Sequence, residues 1–141
     1  MDIQINIRNS GTKEFIGMAV KFFEQELKLK NSNWKLDVIT RRGMRLEDGT
    51  RGSVTYAGPK YLFMVLDSGL DIERLVLTIA HEMVHVKQYA RGQIRHKFGS
   101  KTYYWMGKKV VCKQYYEQPW EIEAFSKERV LANKIFQIIN N

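Results

Sequence analysis

Two histidines four positions apart, in the segment His81-Glu82-Met83-Val84-His85, constrain this chain more than any other feature. Residues four positions apart on an α-helix lie on one face, about 40° apart around the helix axis. The flanking sequence predicts such a helix, because Ser68-Gly69-Leu70-Asp71 fits a capping box and Gly92 follows the last apolar position, Ala90. We therefore predict that both imidazoles project from one side of a helix that begins near Ser68 and ends near Ala90.

The apolar residues of this helix lie mainly opposite the histidines. On a helical wheel, the positions within about 60° of Ile72 are Leu75, Val76, Ile79, Met83, Val86 and Ala90. His81 and His85 fall at about 180° and 220° on the same wheel. Leu77 and Val84 lie beside them, so the histidine side is also partly apolar. We expect a sheet to cover one side of this helix and another element to cover the histidine side.

A histidine pair with a glutamate between its members is typical of a zinc-binding helix. Two imidazoles can bind one Zn²⁺ from the same side, while Glu82 can reach a water molecule on the metal. Zinc lowers the pKa of that water towards about 7, and Glu82 would take its proton as the water attacks a carbonyl. The alternative is that two surface histidines are spaced by four by chance. The predicted helix favours the metal site.

A catalytic zinc site requires a third protein ligand and one open position. Cys112 is a weak candidate, because a lone cysteine in a β-like segment more often packs in the core. His96 comes eleven residues after His85, whereas the metzincin pattern puts its third histidine six residues after the second, where Arg91 stands. A loop could still bring His96 back, although a solvated loop histidine is the simpler interpretation.

The better candidates for the third ligand follow Pro119, which predicts the start of a last helix over about Trp120 to Ile139. On the wheel of that helix, Glu121 lies on the apolar face and Glu123 about 200° away, on the face predicted to be solvated. A buried carboxylate requires a partner or a metal ion, so we predict that Glu121 is the third ligand. Glu128 shares the buried face, where it would either hold a ligating histidine by its second nitrogen or form a salt bridge.

The remaining segments predict a single α+β domain over residues 1–141. Apolar spacing predicts a first helix over about Gly11 to Leu29, with Ser10 as its N-cap. The predicted strands are Asn33–Thr40, Ser53–Ala57 and Lys60–Asp67, followed by a hairpin within Lys101–Tyr116 that turns at Met106-Gly107-Lys108. This order favours a small mixed or antiparallel sheet with the N-terminal, central and C-terminal helices packed against it.

Composition limits the compartment that we expect. The single cysteine cannot form an internal disulfide, which fits a reducing environment. Residues 1–6 lack the basic and apolar parts of a signal peptide. No apolar run approaches the roughly 18 residues of a membrane-spanning helix. We therefore expect a cytoplasmic protein with no membrane partner.

The chain is basic, with 23 Lys and Arg against 15 Asp and Glu and a net charge of +8. Basic residues are dense from Arg41 to Arg51 and from Arg91 to Lys101. Such a surface attracts phosphate backbones or acidic partners, so nucleic acid is a possible partner. A generally soluble basic surface is the simpler explanation.

With these residues placed, the chain resembles the gluzincin metallopeptidases, in which a glutamate from a later helix completes His-Glu-x-x-His. That glutamate often stands in Glu-x-x-Ala, matched here by Glu121-Ile122-Glu123-Ala124. The run from His81 to Tyr89, then Trp105-x-Gly107-Lys108 and Pro119-Trp120-Glu121, is similar to small phage and bacterial metallopeptidases, some of which are described as SprT-like. The resemblance covers the C-terminal half, and the earlier strands suit a minimal zincin core.

The resemblance implies a zinc peptidase acting on a peptide or protein, with Zn²⁺ on His81, His85 and Glu121 and with Glu82 as base and acid. It also implies that one of the strands Ser53–Ala57 and Lys60–Asp67 lies along the cleft and pairs with an extended peptide. The sequence departs from these families in two places. Phe125 stands where many gluzincins have Asp, and His96 is not at the spacing of the third histidine in SprT-like proteins proper.

Carbonyl attack also requires a group that stabilises negative charge on oxygen. The candidates near the ligands in sequence are Tyr103, Tyr104, Tyr115 and Tyr116. We predict Tyr116 for this role, with Tyr115 as the alternative, although each is otherwise an ordinary sheet or core aromatic. Two other functions stay open: a nucleic-acid-associated basic protein with a zinc site, and an inactive metal-binding scaffold. Nothing in the sequence selects an oligomeric state.

Overall fold

A computed structural model describes residues 1–44, 50–111 and 114–140. Within these residues the chain forms the small α+β fold that the sequence predicts. The α-helices are Ser10–Glu26 (α1), Ile72–Ala90 (α2) and Pro119–Ile139 (α3), and a short 3-10 helix spans Tyr115–Glu117. The strands are Asp2–Ile5 (β1), Lys35–Arg41 (β2), Gly52–Gly58 (β3), Tyr61–Asp67 (β4), Ile94–Arg95 (β5), Tyr104–Trp105 (β6) and Lys108–Lys109 (β7).

The main sheet is mixed, with its strands in the order β1-β2-β4-β3. β1, β2 and β4 run parallel, and β3 pairs antiparallel with β4 at one edge. Ser53 lies opposite Val65, and the register shifts between Tyr56 and Gly58 at the far end of the strand. Because β3 runs antiparallel to β4, its first residue, Gly52, lies opposite Leu66, near the end of β4 from which the chain continues to α2.

The core lies between this sheet and the helices. β2 and β4 each bury alternate residues, as expected for strands with one face on the core; the buried residues are Leu36, Val38, Leu62, Met64 and Leu66. α1 buries Ile16, Ala19, Val20 and Phe23 against the same core. α2 contacts α1, β3, β4 and α3, and its histidines contact Glu121 on α3. The prediction that α2 is covered on both sides is confirmed.

Two helix starts differ from the predicted ones by one and by three residues. The N-cap of α1 is Asn9, whose side chain accepts from Thr12 N, and not Ser10. The N-cap of α2 is Asp71, whose carboxylate accepts from Arg74 N at 2.8 Å. The predicted cap Ser68 lies before the helix. Either aspartate or serine can cap a helix, and the more distal cap is used here.

Two strands of the structure, β1 and β5, are not predicted by the sequence patterns. β1 joins the main sheet beside β2, although the sequence pattern predicts no strand in residues 1–6. The predicted hairpin is confirmed as β6 and β7, which turn through Met106 and Gly107 in left-handed backbone conformations. β5 extends this hairpin to three strands.

None of the helices in the described part of the chain combines the length and apolar character that crossing a bilayer requires.

Candidate metal centre

α2 places two histidines on the side that faces α3. Asp71 caps the first turn, and Gly92, in a left-handed conformation, donates its N–H to Tyr89 O after the last turn, as predicted. Between these ends the helix is regular, so His81 and His85 lie on one face, one turn apart. Their ring centroids are 4.9 Å apart.

α3 brings a carboxylate to the same point. Pro119 occupies the start of the helix and Glu121 its first turn, where Glu121 N donates to Gln118 O. Ala124 is fully buried one turn further along, and its small side chain suits the close packing of α3 on α2. The buried position that the helical wheel predicts for Glu121 is confirmed.

The three side chains meet through one oxygen atom. Glu121 Oε1 lies 2.9 Å from His81 Nε2 and 3.1 Å from His85 Nε2. One ligand atom from each residue lies within 4.8 Å of the other two. The donors of a tetrahedral zinc centre lie roughly 3.3 Å apart, given metal–ligand bonds of about 2.0–2.2 Å. With side chains only 8–12% exposed, this group can bind a metal ion.

The second nitrogen of each imidazole also has a polar neighbour. His81 Nδ1 lies 3.5 Å from Glu128 Oε1, where the sequence allowed Glu128 to hold a ligating histidine. His85 Nδ1 lies 2.8 Å from Gln88 Oε1. Both rings thus present Nε2 to Glu121 and Nδ1 to a residue behind the cluster, an arrangement found around metal-binding histidines.

Charge sharing within the cluster shifts the pKa values of its members. Burial alone would lower the pKa of His81, but Glu121 and Glu128 raise it to about 9. The pKa of His85 is also raised, because the hydrogen bond to Glu121 and the charge of Glu82 outweigh burial. Burial would raise the pKa of Glu121, yet the hydrogen bonds from both histidines lower it to about 2. In the metal-free protein, then, an anionic carboxylate faces protonated imidazole.

Glu82 lines a cleft of about 480 Å³ beside the cluster. Its carboxylate is buried, and burial raises its pKa from the ordinary value although His85 and His81 oppose the shift. Described residues of β3, α2, the 3-10 helix and α3 line the rest of the cleft, among them Gly52, Thr78 and Phe125. A buried carboxylate is thus combined with an opening to solvent, in a cleft that the possible ligand His81 also lines.

The tyrosines predicted to stabilise an oxyanion lie in different places. Tyr115 lines the cleft, and burial, together with the nearby Glu121, raises the pKa of its phenol. Tyr116 is 70% exposed and is not among the described residues that line the cleft. Tyr103 contacts the rings of His96 and Trp120, and Tyr104 lies exposed on β6. The structure therefore brings Tyr115 to the candidate centre and leaves the chosen Tyr116 outside it.

His96, another candidate ligand, does not join the cluster. His96 accepts a hydrogen bond from Tyr89 O–H through Nε2 and packs against Tyr56 and Tyr103. This half-buried aromatic setting also differs from the solvated loop position that the sequence predicts for His96. Cys112 lies outside the described residues.

The sequence predicts that Glu123 lies on a solvated face, but in the structure its side chain is only 20% exposed. It accepts hydrogen bonds from Lys87 Nζ at 2.8 Å and from Gln88 Nε2 at 2.9 Å, both on α2. The wheel gave its angle relative to the apolar face of α3 only, and could not show that polar side chains of α2 reach around that face. The contact of Gln88 with His85 was missed for the same reason.

Phe125 occupies the position where many gluzincins have aspartate. Its ring lies 4.7 Å from the ring of His81 in an edge-on contact. It therefore packs on a possible ligand instead of accepting a hydrogen bond from one.

No family model, curated protein or solved structure matches this chain. The candidate centre consequently rests on its own geometry.

Proposed function

We propose that this chain is a zinc-dependent hydrolase that cleaves peptide bonds. The observation that carries the proposal is the convergence of His81, His85 and Glu121 next to a cleft that Glu82 lines. Convergence of donors alone would suit a structural metal. A buried carboxylate at an open cleft beside them supports catalysis.

The donor set fits zinc better than the alkaline-earth ions. Two imidazole nitrogens and one carboxylate oxygen are typical of catalytic zinc, whereas Mg²⁺ and Ca²⁺ prefer oxygen ligands throughout. Three protein ligands also leave the fourth position to water or substrate. Zinc would supply there a water molecule of lowered pKa and a positive charge that polarises a carbonyl.

Glu82 is suited to move the proton. Because burial raises its pKa, its carboxylate accepts a proton more readily than an exposed glutamate would. It would take the proton from the attacking water and then give it to the leaving amine. Tyr115, at the wall of the same cleft, is better placed than Tyr116 to donate a hydrogen bond to the carbonyl oxygen as charge develops.

The edge strand β3 provides a surface for an extended substrate. Gly52, its first residue, lines the cleft, and among the described strands only β4 pairs with β3. The open edge presents backbone N–H and C=O groups to which a peptide can add as a further strand. Leu77 and Phe125 would contact an apolar side chain of that peptide in the cleft.

The experiment compares metal content and peptide hydrolysis in wild type, Glu82→Gln and Glu121→Ala. Glu82→Gln should keep one zinc per chain and lose at least about 10²-fold in kcat, since general-base catalysis contributes about 10²–10⁴-fold. Glu121→Ala should lose stoichiometric zinc. Glu14→Gln, an exposed glutamate on α1, is the matched control and should change neither quantity.

Three results would argue against the proposal. Stoichiometric zinc in Glu121→Ala would remove Glu121 from the ligand set. Full turnover by Glu82→Gln would remove the assigned base. Wild-type protein that binds zinc but cleaves nothing in a broad peptide library would favour the inactive metal-binding scaffold.

A second candidate function is binding of single-stranded nucleic acid, favoured by a separate cleft of about 430 Å³ beyond the C-terminal end of α2. Aromatic rings of Trp34, Tyr56 and Tyr89 line it, and Tyr56 and Tyr89 stack in parallel with centroids 6.0 Å apart. Exposed Lys60 and Arg95 lie at the same cleft. Aromatic platforms combined with cationic groups are typical of single-strand binding.

Fluorescence anisotropy with a labelled oligothymidine tests this second function. Binding should weaken steeply as the salt concentration rises. The double variant Lys60→Ala/Arg95→Ala should make the negative slope of log K against log salt shallower by about 1.4, which is about 0.7 for each of two lost phosphate contacts. Lys13→Ala/Lys21→Ala removes two exposed charges from α1 and should leave the slope unchanged. Absence of binding at low salt, or equal loss in both variants, would rule out the cleft as a binding site.

A further inference from the structure

Gln88 is a fully buried amide that links α2 to α3 behind the metal centre. It lies three residues after His85 on α2, and its side chain contacts three groups. Its Nε2 donates to Trp120 O and to Glu123 Oε1, both at 2.9 Å. Its Oε1 lies 2.8 Å from His85 Nδ1.

These partners fix which way the amide points. Trp120 O and Glu123 Oε1 can only accept hydrogen bonds, so the atom facing both must be the NH₂ group. Oε1 therefore faces His85 and can only accept. It follows that Nδ1 of His85 carries a proton, which leaves Nε2 as the nitrogen that can bind a metal.

Glu123 is itself held firmly in place. Besides Gln88, it accepts from Lys87 Nζ at 2.8 Å and from Lys127 Nζ at 2.9 Å. The Lys87 side chain is almost fully buried, so this ion pair is largely shielded from solvent. Removing one partner of such a pair would leave the other as a buried, unpaired charge, which is costly. The ion pair with Lys87 therefore keeps the Glu123 carboxylate where it accepts from Gln88.

We propose that Gln88, held by Glu123 and Trp120, is the positioning residue of His85: it keeps the proton on Nδ1 and turns Nε2 towards the metal. The inference rests on the metal centre of the proposed function and does not require that the protein hydrolyse peptides. It also assigns a role to Glu123, two residues after the ligand Glu121, as the group that holds this amide.

The two histidines are supported unequally. Glu128 lies 3.5 Å from His81 Nδ1 and is partly exposed, whereas Gln88 lies 2.8 Å from His85 Nδ1 and is fully buried. Phe125 packs on the His81 ring at the position that is often aspartate in gluzincins. The structure thus assigns the stronger outer support to His85, and α2 itself supplies that support.

Zinc affinity, measured by competition with a chromogenic chelator, tests the proposal without an activity assay. Gln88→Leu replaces the amide with an apolar side chain of similar size, so His85 Nδ1 loses its acceptor. This change should weaken zinc binding about 10–100-fold. Lys134→Ala removes an exposed lysine of α3 that pairs with Glu26 on α1, and should bind zinc within about twofold of wild type.

Ring ¹⁵N NMR of wild-type protein gives an independent reading of the same geometry. With zinc added, His85 should show a protonated Nδ1 whose proton exchanges slowly with water, and this slow exchange should be lost in Gln88→Leu. A proton on Nε2 with the metal on Nδ1 would overturn the proposal even if Gln88→Leu does not fold. Equal zinc affinity in wild type and Gln88→Leu would also overturn it.

The outcomes separate this inference from the proposed function. Wild type that binds zinc tightly, shows the expected ring protonation and cleaves no peptide would remove the peptidase and keep the role of Gln88. Hydrolysis with an unchanged zinc affinity in Gln88→Leu would keep the peptidase and remove that role.

Discussion

At the scale of single residues, one carboxylate oxygen connects the two helices. Glu121 Oε1 contacts both Nε2 atoms, although it lies 40 residues from His81 and 36 from His85 in sequence. In metal-free protein these contacts require protons on the imidazoles. Protons and a metal ion therefore compete for the same nitrogen atoms.

Metal-free protein should accordingly be most stable between about pH 4.5 and 6.5. The pKa of His81 rises from 6.5 to about 9 on folding, so its contribution is complete below pH 6.5 and is lost as the pH rises through about 9. The pKa of Glu121 falls from 4.5 to about 2, so its contribution is present above pH 4.5 and is lost as the pH falls towards 2.

Thermal unfolding of chelator-treated protein across this pH range measures the effect. Glu121→Gln should flatten the profile on both sides, because the neutral amide cannot stabilise the imidazolium. The same titration with zinc present should show affinity rising from pH 6.5 to 9. A metal-free Tm that rises steadily over that interval would contradict the assigned pairing.

The residues of the centre differed in how well the sequence predicted them. Glu121 was predictable because a carboxylate on an apolar face requires a partner, whatever the fold. Gln88 was not, because an uncharged amide beside a histidine on a helical wheel does not indicate which group it contacts. Tyr115 and Tyr116 are adjacent in sequence, and only the path of the 3-10 helix distinguishes them.

At the scale of elements, β3 and α2 approach closely at Gly52. A Cβ built on Gly52 would lie 2.7 Å from the methyl group of Thr78, 3.2 Å from Val65 O and 3.3 Å from Glu82 Cγ. Two of these neighbours are α2 side chains at the cleft, and the third is the backbone of β4. A side chain at this position therefore separates the edge strand from the helix that carries the candidate base.

Gly52→Ala should lower peptide hydrolysis while leaving zinc content intact. The added methyl group must displace β3 or Glu82, whereas the three ligands lie away from it. Gly17→Ala on α1 is the matched control, since its Cβ would meet only Ile5 Cγ1 at 3.8 Å and the change should stabilise the helix by about 0.5–1 kcal/mol. Unchanged kcat/KM in Gly52→Ala would show that this contact does not matter for the cleft.

Most elements were predictable from local patterns, and their ends were less so. The apolar spacing of α2 and the alternation of β4 depend on periodicity alone. β1 is a short strand of alternating Ile3 and Ile5, and it is defined by its neighbour β2 more than by its own residues. Asp71 replaced Ser68 as a cap because both are good caps and the choice depends on where β4 ends.

At the scale of the whole molecule, a metal ion at the centre would join α2 to α3. Zinc should raise Tm, with a stabilisation of about 2.7 kcal/mol when free zinc is 100 times Kd. Hydrogen exchange should slow most around Tyr115–Phe125 and in the second half of α2, because these segments hold the ligands. Protection of β2, in the middle of the sheet, should change only as much as global stability does.

Hydrogen-exchange mass spectrometry with and without zinc checks this pattern, with His85→Gln as the variant that should lose it. Equal slowing across the sheet and the helices would mean that zinc acts on global unfolding alone. Slowing confined to the basic residues 91–101 would place the metal elsewhere.

The order of the metal-binding group along the chain has a consequence for synthesis. The four strands of the main sheet precede His81 and His85 in the chain, whereas Glu121 follows His81 by 40 residues, which take about 2–8 s to synthesise at 5–20 residues per second. During that interval a nascent chain has two of the three ligands and no α3 to cover them. Completion of the last helix, rather than folding of the sheet, is therefore the event that creates the centre.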